Sequence, residues 1–346
     1  MTLKGIAEMT GTSVSTVSRV LNRTSSTCAS KELQDQIWEA ARQTGYVPNA
    51  AARSLRKPEN PQEKVPAVTI VMARFGPHDE EPFFAELLTA LEAELMKQRV
   101  QIRDVIYARD SLPADFVPDG GVIILGRCSK ELLTDIHART RSVVGIWRNP
   151  TDFDVDEVMC DGQKAAELAI GYLLSLGHRR IAYIGSCTYE SRYIGYCDMM
   201  IRNHIPLDYG LVKETDQTRA EAETAVRQLL ELKRTGQSDF SAIFCANDNT
   251  AVRVLEVLEG YKKELKRNPV SVISIDDIDA AEKTRPYLTT VHIPRTEMAH
   301  MAVLILLDRM AGGHREVIRN EFPCRIVRRM SCYPCSAGPN PGAAEA

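Results

Sequence analysis

Residues 2–22 read TLKGIAEMTGTSVSTVSRVLN, and this run sets the architecture of the amino-terminal module. Leu3, Ile6 and Ala7 share one face of a first helix, which Thr10-Gly11-Thr12 interrupts. Ser13 is placed to cap a second helix with Val17, Val20 and Leu21 turned inward. Ser30 stands likewise ahead of a third helix, whose Leu33, Ile37 and Ala41 recur at helical spacing until Gly45 ends it. The expectation is three short helices around one small core.

Beyond them, Pro48 opens the alanine-rich segment NAAARSLR (49–56), and KPENPQEKVP (57–66) has three prolines and no apolar periodicity, as a linker does. From Val65 onward, short β-branched runs alternate with amphipathic helices. Residues 68–72, 102–107, 122–125 and 143–146 read as strands, with helices over 83–96 and 130–139. A second series follows, with strands at 181–184, 242–245 and 270–275 and helices at 163–176, 193–201, 220–232 and 250–259. Such alternation implies parallel sheets covered on both faces. Two series predict two doubly wound lobes with a ligand cleft between them.

Composition agrees. A chain of 346 residues, 44% hydrophobic and 26% charged, is globular and long enough for two or three domains. The net charge of −3 is unevenly spread: residues 1–57 carry eight basic and four acidic side chains, +4, and the remainder carries −7. A basic module on an acidic body binds phosphate at one end and repels it elsewhere. No run spans a bilayer and the opening residues lack the apolar core of a signal peptide, so a cytoplasmic location is expected. Nine cysteines without framework spacing read as free thiols. Cys332 and Cys335 have no second pair for a zinc site. No dinucleotide, Walker or nucleophile-elbow motif points to an enzyme, and neither a cofactor nor a metal is implied.

Residues 2–22, continued by IWEAARQTGYVPNAAARSLR (37–56), closely resemble the helix-turn-helix headpiece and hinge of the LacI family of transcription regulators. That family's second helix enters the major groove. The resemblance therefore implies DNA contacts from Val14, Ser15, Thr16, Arg19 and Asn22, with Tyr46, Asn49 and Arg53 positioning the backbone. Arg19 has the fork for guanine, or else meets a phosphate. Leu55 takes the place of the hinge leucine that wedges into the minor groove, the alternative being ordinary packing at a domain boundary. Gly5 departs from the aspartate usual in the family.

The resemblance runs on, more loosely, to about residue 330, through VMCDGQKAAELAIGYLLSLGHRRIAYIG (158–185), AIFCANDN (242–249), VISIDD (272–277) and LTTVHIP (288–294). These are similar to the family's periplasmic-binding-protein-like sensor. There the chain crosses between lobes three times, the last near residues 292–294, with 296–310 in the first lobe and 322–329 returning to the second. The implied effector contacts are Phe83, Phe84, Arg192, Asn247 and Asp276, with Trp147 stacking on the ligand or plugging the cleft. Phe83 is alternatively core and Asp276 alternatively a helix cap. The expected domains are a headpiece with hinge (1–57), a linker (58–66), a two-lobed sensor and dimerisation domain (67–330) and a tail (331–346). The expected function is a homodimeric repressor of carbohydrate-utilisation genes, binding a pseudo-palindromic operator under control of a sugar or glycoside. The alternative is a non-sugar corepressor or a protein partner.

Overall fold

The computed structural model describes residues 3–21, 29–44, 65–74, 76, 81–148, 151–266 and 268–335. The chain divides into two compact units, Met1–Lys64 and Val65–Ala346.

The first unit contains α1 (Leu3–Met9), α2 (Val14–Leu21) and α3 (Lys31–Gln43). Gly5 does not interrupt α1. Gly11, at φ 61°, makes the turn that follows it, a conformation glycine adopts without penalty. The Ser13 hydroxyl then accepts from the Thr16 amide at 3.1 Å, and Ser30 accepts from Leu33 at 3.3 Å. Ile6, Val17 and Ile37, one from each helix, are fully buried and packed with Ala7, Val20, Leu21, Ala40 and Ala41. So small a core is held by placing apolar residues on one face of every helix.

The second unit is built from two six-stranded sheets of matching strand order. In the first lobe, β1 (Ala67–Met72), β2 (Gln101–Tyr107), β3 (Gly121–Leu125), β4 (Val143–Trp147), β5 (Asp156–Met159) and β11 (Arg319–Glu321) run in the order β11-β5-β4-β3-β1-β2, all parallel. Helices α4 (Pro82–Lys97), α5 (Lys130–Arg139) and α10 (Arg295–Met310) belong to this lobe. In the second lobe the order is β12-β10-β9-β8-β6-β7, from β6 (Ile181–Gly185), β7 (Val212–Glu214), β8 (Ala242–Cys245), β9 (Ser271–Asp276), β10 (Thr289–His292) and β12 (Arg325–Val327). Only β12 is antiparallel there. Its helices are α6 (Gly162–Ser175), α7 (Ser191–Arg202), α8 (Arg219–Arg234) and α9 (Asp248–Gly260). The central strands are buried throughout, which is why they read as unbroken apolar runs.

Several details differ from expectation. β5 opens with Asp156 and Glu157, both fully buried, so no apolar run announces it. Asp156 is held by Arg309, His314 and the Ile318 amide, and Glu157 accepts from Trp147 Nε1 at 2.8 Å and Thr151 Oγ1 at 2.7 Å. Residues 292–294 form the second crossing between lobes, not the last. The third lies at 322–324, between β11 and β12.

The folded sensor also extends past residue 330. Ser331 is fully buried and donates to the Val272 carbonyl at 2.6 Å, while the Cys335 amide donates to Leu176 at 2.8 Å. His178, just after Gly177 at φ 88°, fastens this segment. Its Nε2 donates to the Tyr333 carbonyl at 2.8 Å, and its Nδ1 pairs with the Ser241 hydroxyl at 2.8 Å. Burial holds His178 below its ordinary pKa, so it acts as a neutral clamp rather than a charge at the end of α6.

Candidate nucleic-acid interface and effector cleft

On α2, turning Val17, Val20 and Leu21 into the core leaves Val14, Ser15 and Arg19 exposed, with Thr16 half-buried. Val14 is 43% exposed and so free to contact an apolar partner. The Ser13 hydroxyl bonds both Ser15 and Thr16 at 2.8 Å, which ties the start of the helix together. Asn22, Tyr46, Asn49, Arg53 and Leu55 lie outside the described residues.

In the second unit a cleft of about 950 Å³ opens between the lobes, at the carboxyl ends of the strands. Four of the residues expected at the effector site border it: Phe84, Trp147, Arg192 and Asn247. Phe83 does not border it; it is buried in the same core cluster as Phe84, with the two rings edge-on at 5.1 Å. Trp147 is committed to its own lobe. Its indole lies over Gly145, where any Cβ would collide with the ring, meets Phe153 edge-on at 6.1 Å and donates to Glu157. It closes the cleft floor more than it offers a stacking face.

Arg192 is the best-held side chain of the site. Glu190, the residue that caps α7, takes its Nε and Nη2 protons in a two-pronged pair at 2.8 Å each. Nη1 donates to the Ala246 carbonyl at 2.6 Å, and Nη2 also reaches Gln217 Oε1 at 3.3 Å. The donor fork anticipated for a ligand is therefore largely occupied within the protein. Despite its burial, the Glu190 carboxyl is lowered to about 2 by the adjacent Arg192 guanidinium. Asn247 borders the cleft while its side-chain oxygen caps α9, accepting from the Thr250 amide at 3.0 Å.

Asp276 sits behind the cleft wall, 2% exposed, and caps no helix. It adopts φ 130° and Asp277 φ 58°, sparsely populated for non-glycine residues. Arg295 holds this kink by donating to both carbonyls, at 2.6 and 2.9 Å. Asp276 Oδ1 has no hydrogen-bond partner and lies 3.5 Å from Arg148 Nη1. Its carboxyl is raised to about 6, chiefly by burial. Asp248, raised to about 7 by burial and then by Asp276, lies nearby and accepts from Ser274, Thr290 and the Ile278 amide.

Sequence reading missed Arg148, Glu190, Gln217 and Asp248. Arg148 is the residue directly after β4, and its guanidinium lies 4.3 Å from the Phe83 ring centre and 5.1 Å from that of Phe84. A polar residue just beyond a buried strand was the available signal, and Trp147 beside it drew the reading away.

Among the described residues no cluster of side chains could hold a metal ion, and no helix is long and apolar enough to cross a membrane. Comparison with known proteins bears on both units. Residues 2–49 match the bacterial regulatory proteins of the lacI family, and residues 170–332 match the periplasmic binding protein-like domain. The chain is 24% identical to the HTH-type transcriptional repressor PurR of Aliivibrio salmonicida, over 96% of this chain and 99% of that one. In fold it is similar to the transcriptional regulator CelR in complex with cellobiose, at TM-score 0.66 and 24% identity over 96% of this chain and 100% of the other. It is also similar to the lac repressor dimer bound to operator and the anti-inducer ONPF, at TM-score 0.63 and 18% identity over 96% and 99%. These matches give residues 2–49 the helix-turn-helix of the lacI family of bacterial regulatory proteins and residues 170–332 a periplasmic binding protein-like domain, and the protein is a DNA-binding transcription regulator.

Proposed function

We propose that the protein is a cytoplasmic homodimer that represses carbohydrate-utilisation genes and is controlled by a small sugar-like effector in the interlobe cleft. The observation that carries this reading is the cleft itself: about 950 Å³ at the strand ends of two doubly wound lobes, on the same chain as a helix-turn-helix unit. The Phe84 ring and the amide of Asn247 suit the C–H face and the hydroxyls of a sugar. Cellobiose in CelR supports a carbohydrate, and the operator-bound lac repressor dimer supports two-fold binding to a pseudo-palindrome. Val14, Ser15 and Arg19 are the proposed base readers. Thr16, Asn22, Tyr46, Asn49 and Arg53 are the proposed backbone contacts, and Leu55 the hinge wedge.

Calorimetry against a carbohydrate panel, followed by operator titration with and without the best ligand, tests the reading. A ligand that binds wild type should weaken the operator complex, and operator should weaken ligand binding by the same factor. Tightening of the operator complex would make the ligand a corepressor, and absence of binding by any carbohydrate would remove the sugar reading. Arg19→Ala should relax the preference at one symmetric pair of base positions by about 1–3 kcal/mol. Uniform weakening on all sequences would assign Arg19 to a phosphate.

A further inference from the structure

Four neighbouring strands of the first lobe share a feature at their carboxyl ends. In the sheet order β4-β3-β1-β2, Arg148 directly follows β4, and Arg127, Arg74 and Arg109 each stand two residues beyond β3, β1 and β2. All four line the cleft. Strand ends in a doubly wound sheet are where ligands bind, so this row faces whatever the cleft holds.

The second lobe treats its arginines differently. Arg192 is paired with Glu190, and Arg219 makes two 2.8 Å bonds to Glu256. In the first lobe, Arg74 and Arg127 form no ion pair among the described residues. Arg148 packs on the Phe83 and Phe84 rings, its one ion pair among the described residues is the 3.5 Å approach to Asp276, and its Nε is buried without a hydrogen-bond partner. The described residues around the cleft include six arginines against Glu81, Asp110, Glu190 and Asp216, a net charge of +2, whereas the chain beyond residue 57 carries −7. Like charges gathered on an otherwise acidic body cost free energy that an anion would offset. Partial desolvation, then the neighbouring Arg148 and Arg192 charges, lower the basicity of Arg74, as expected where positive groups crowd together.

We propose that the effector is an anion, a sugar bearing a phosphate or a carboxylate, whose charged group is held by Arg74, Arg127 and Arg148. The planar guanidinium fork matches both groups in two-pronged geometry. The sugar body would lie toward Phe84 and Asn247. This inference rests on the reading of the cleft as a carbohydrate sensor and adds to it the charge of the ligand.

The test is calorimetry on the full-length protein with matched probes: glucose and glucose 6-phosphate, galactose and galacturonate, and inorganic phosphate alone, each at low and high salt. One anionic sugar should bind at least about tenfold more tightly than its neutral parent, with the advantage shrinking as salt rises. The pair that shows the advantage separates phosphate from carboxylate. Arg148→Gln should remove the advantage. Because Arg148 is nearly buried, exposed Arg127→Gln serves as the second variant, with folding of both checked by circular dichroism. A neutral sugar binding as well as its anionic partner, or both folded variants keeping the preference, would overturn the inference while leaving the sensor reading intact. If no sugar of either charge binds, the sensor reading and the inference fall together.

Discussion

The two lobes have the same strand order and nearly the same sheet, yet they dispose of charge at the cleft in opposite ways. The second lobe consumes its principal arginine internally: Arg192 is 3% exposed and bonded to Glu190, Ala246 and Gln217. The first lobe holds Arg74 and Arg127 at its strand ends with no ion pair among the described residues. A buried, paired charge is a structural member whose loss leaves its partner stranded. An exposed charge such as that of Arg127 contributes little to stability and is available to a ligand. The same residue type therefore serves two purposes on two copies of one architecture, and only its partners distinguish them.

The largest effect should come from breaking the consumed pair. Arg192→Ala would leave the Glu190 carboxylate buried without its two-pronged partner, and urea unfolding at pH 7 should show a loss of about 3–5 kcal/mol. A loss below about 1 kcal/mol would mean that water or Gln217 replaces the guanidinium, and the contrast between lobes would weaken.

Asp276 gives an intermediate effect because it bridges the comparison, belonging to the second lobe while lying beside Arg148 of the first. Its pKa is raised to about 6 from 3.8. The folded state thus binds the extra proton, and the native protein loses stability as pH rises from about 4 to about 6. Asp276→Asn should flatten that part of the stability–pH curve, by about 1–3 kcal/mol between its ends. Asp248 returns toward its ordinary value in the same variant, which adds in the same direction. A wild-type curve that rises over this window would show that Arg148, rather than burial, controls Asp276.

The smallest effect is expected at the open row. Arg127→Gln should change unfolding free energy by no more than about 0.5 kcal/mol, as for a surface substitution with no partner to strand. A loss as large as that of Arg192→Ala would show that the first lobe also uses its arginines structurally.

Much of this was legible beforehand, for identifiable reasons. The α2 face, the Ser13 and Ser30 caps and the central strands follow from local patterns, because helical spacing and unbroken apolar runs are imposed by burial alone. β5 was not legible, since Asp156 and Glu157 are buried by partners such as Arg309 and Trp147, at 153 and 10 positions' distance in the chain. The expected cleft residues divided similarly. Phe84, Trp147, Arg192 and Asn247 do reach its border, but Phe83 and Asp276 lie behind it, and Trp147 serves the floor.

The sequence by itself determined the helix-turn-helix unit, the two-lobed architecture and the strand ends where a ligand belongs, all of which depend on residues close together or on extended motifs. Only the tertiary structure decided which polar groups are already spoken for. Ala246 and Gln217 accept the remaining protons of Arg192, Asp248 accepts from Ser274 and Thr290, and His178 is a neutral clamp on the carboxyl-terminal segment. Hydrogen bonds and ion pairs act over about 3 Å between groups that the chain order leaves far apart, so their pairing is set by the packing of the lobes and not by the pattern of residues along the chain.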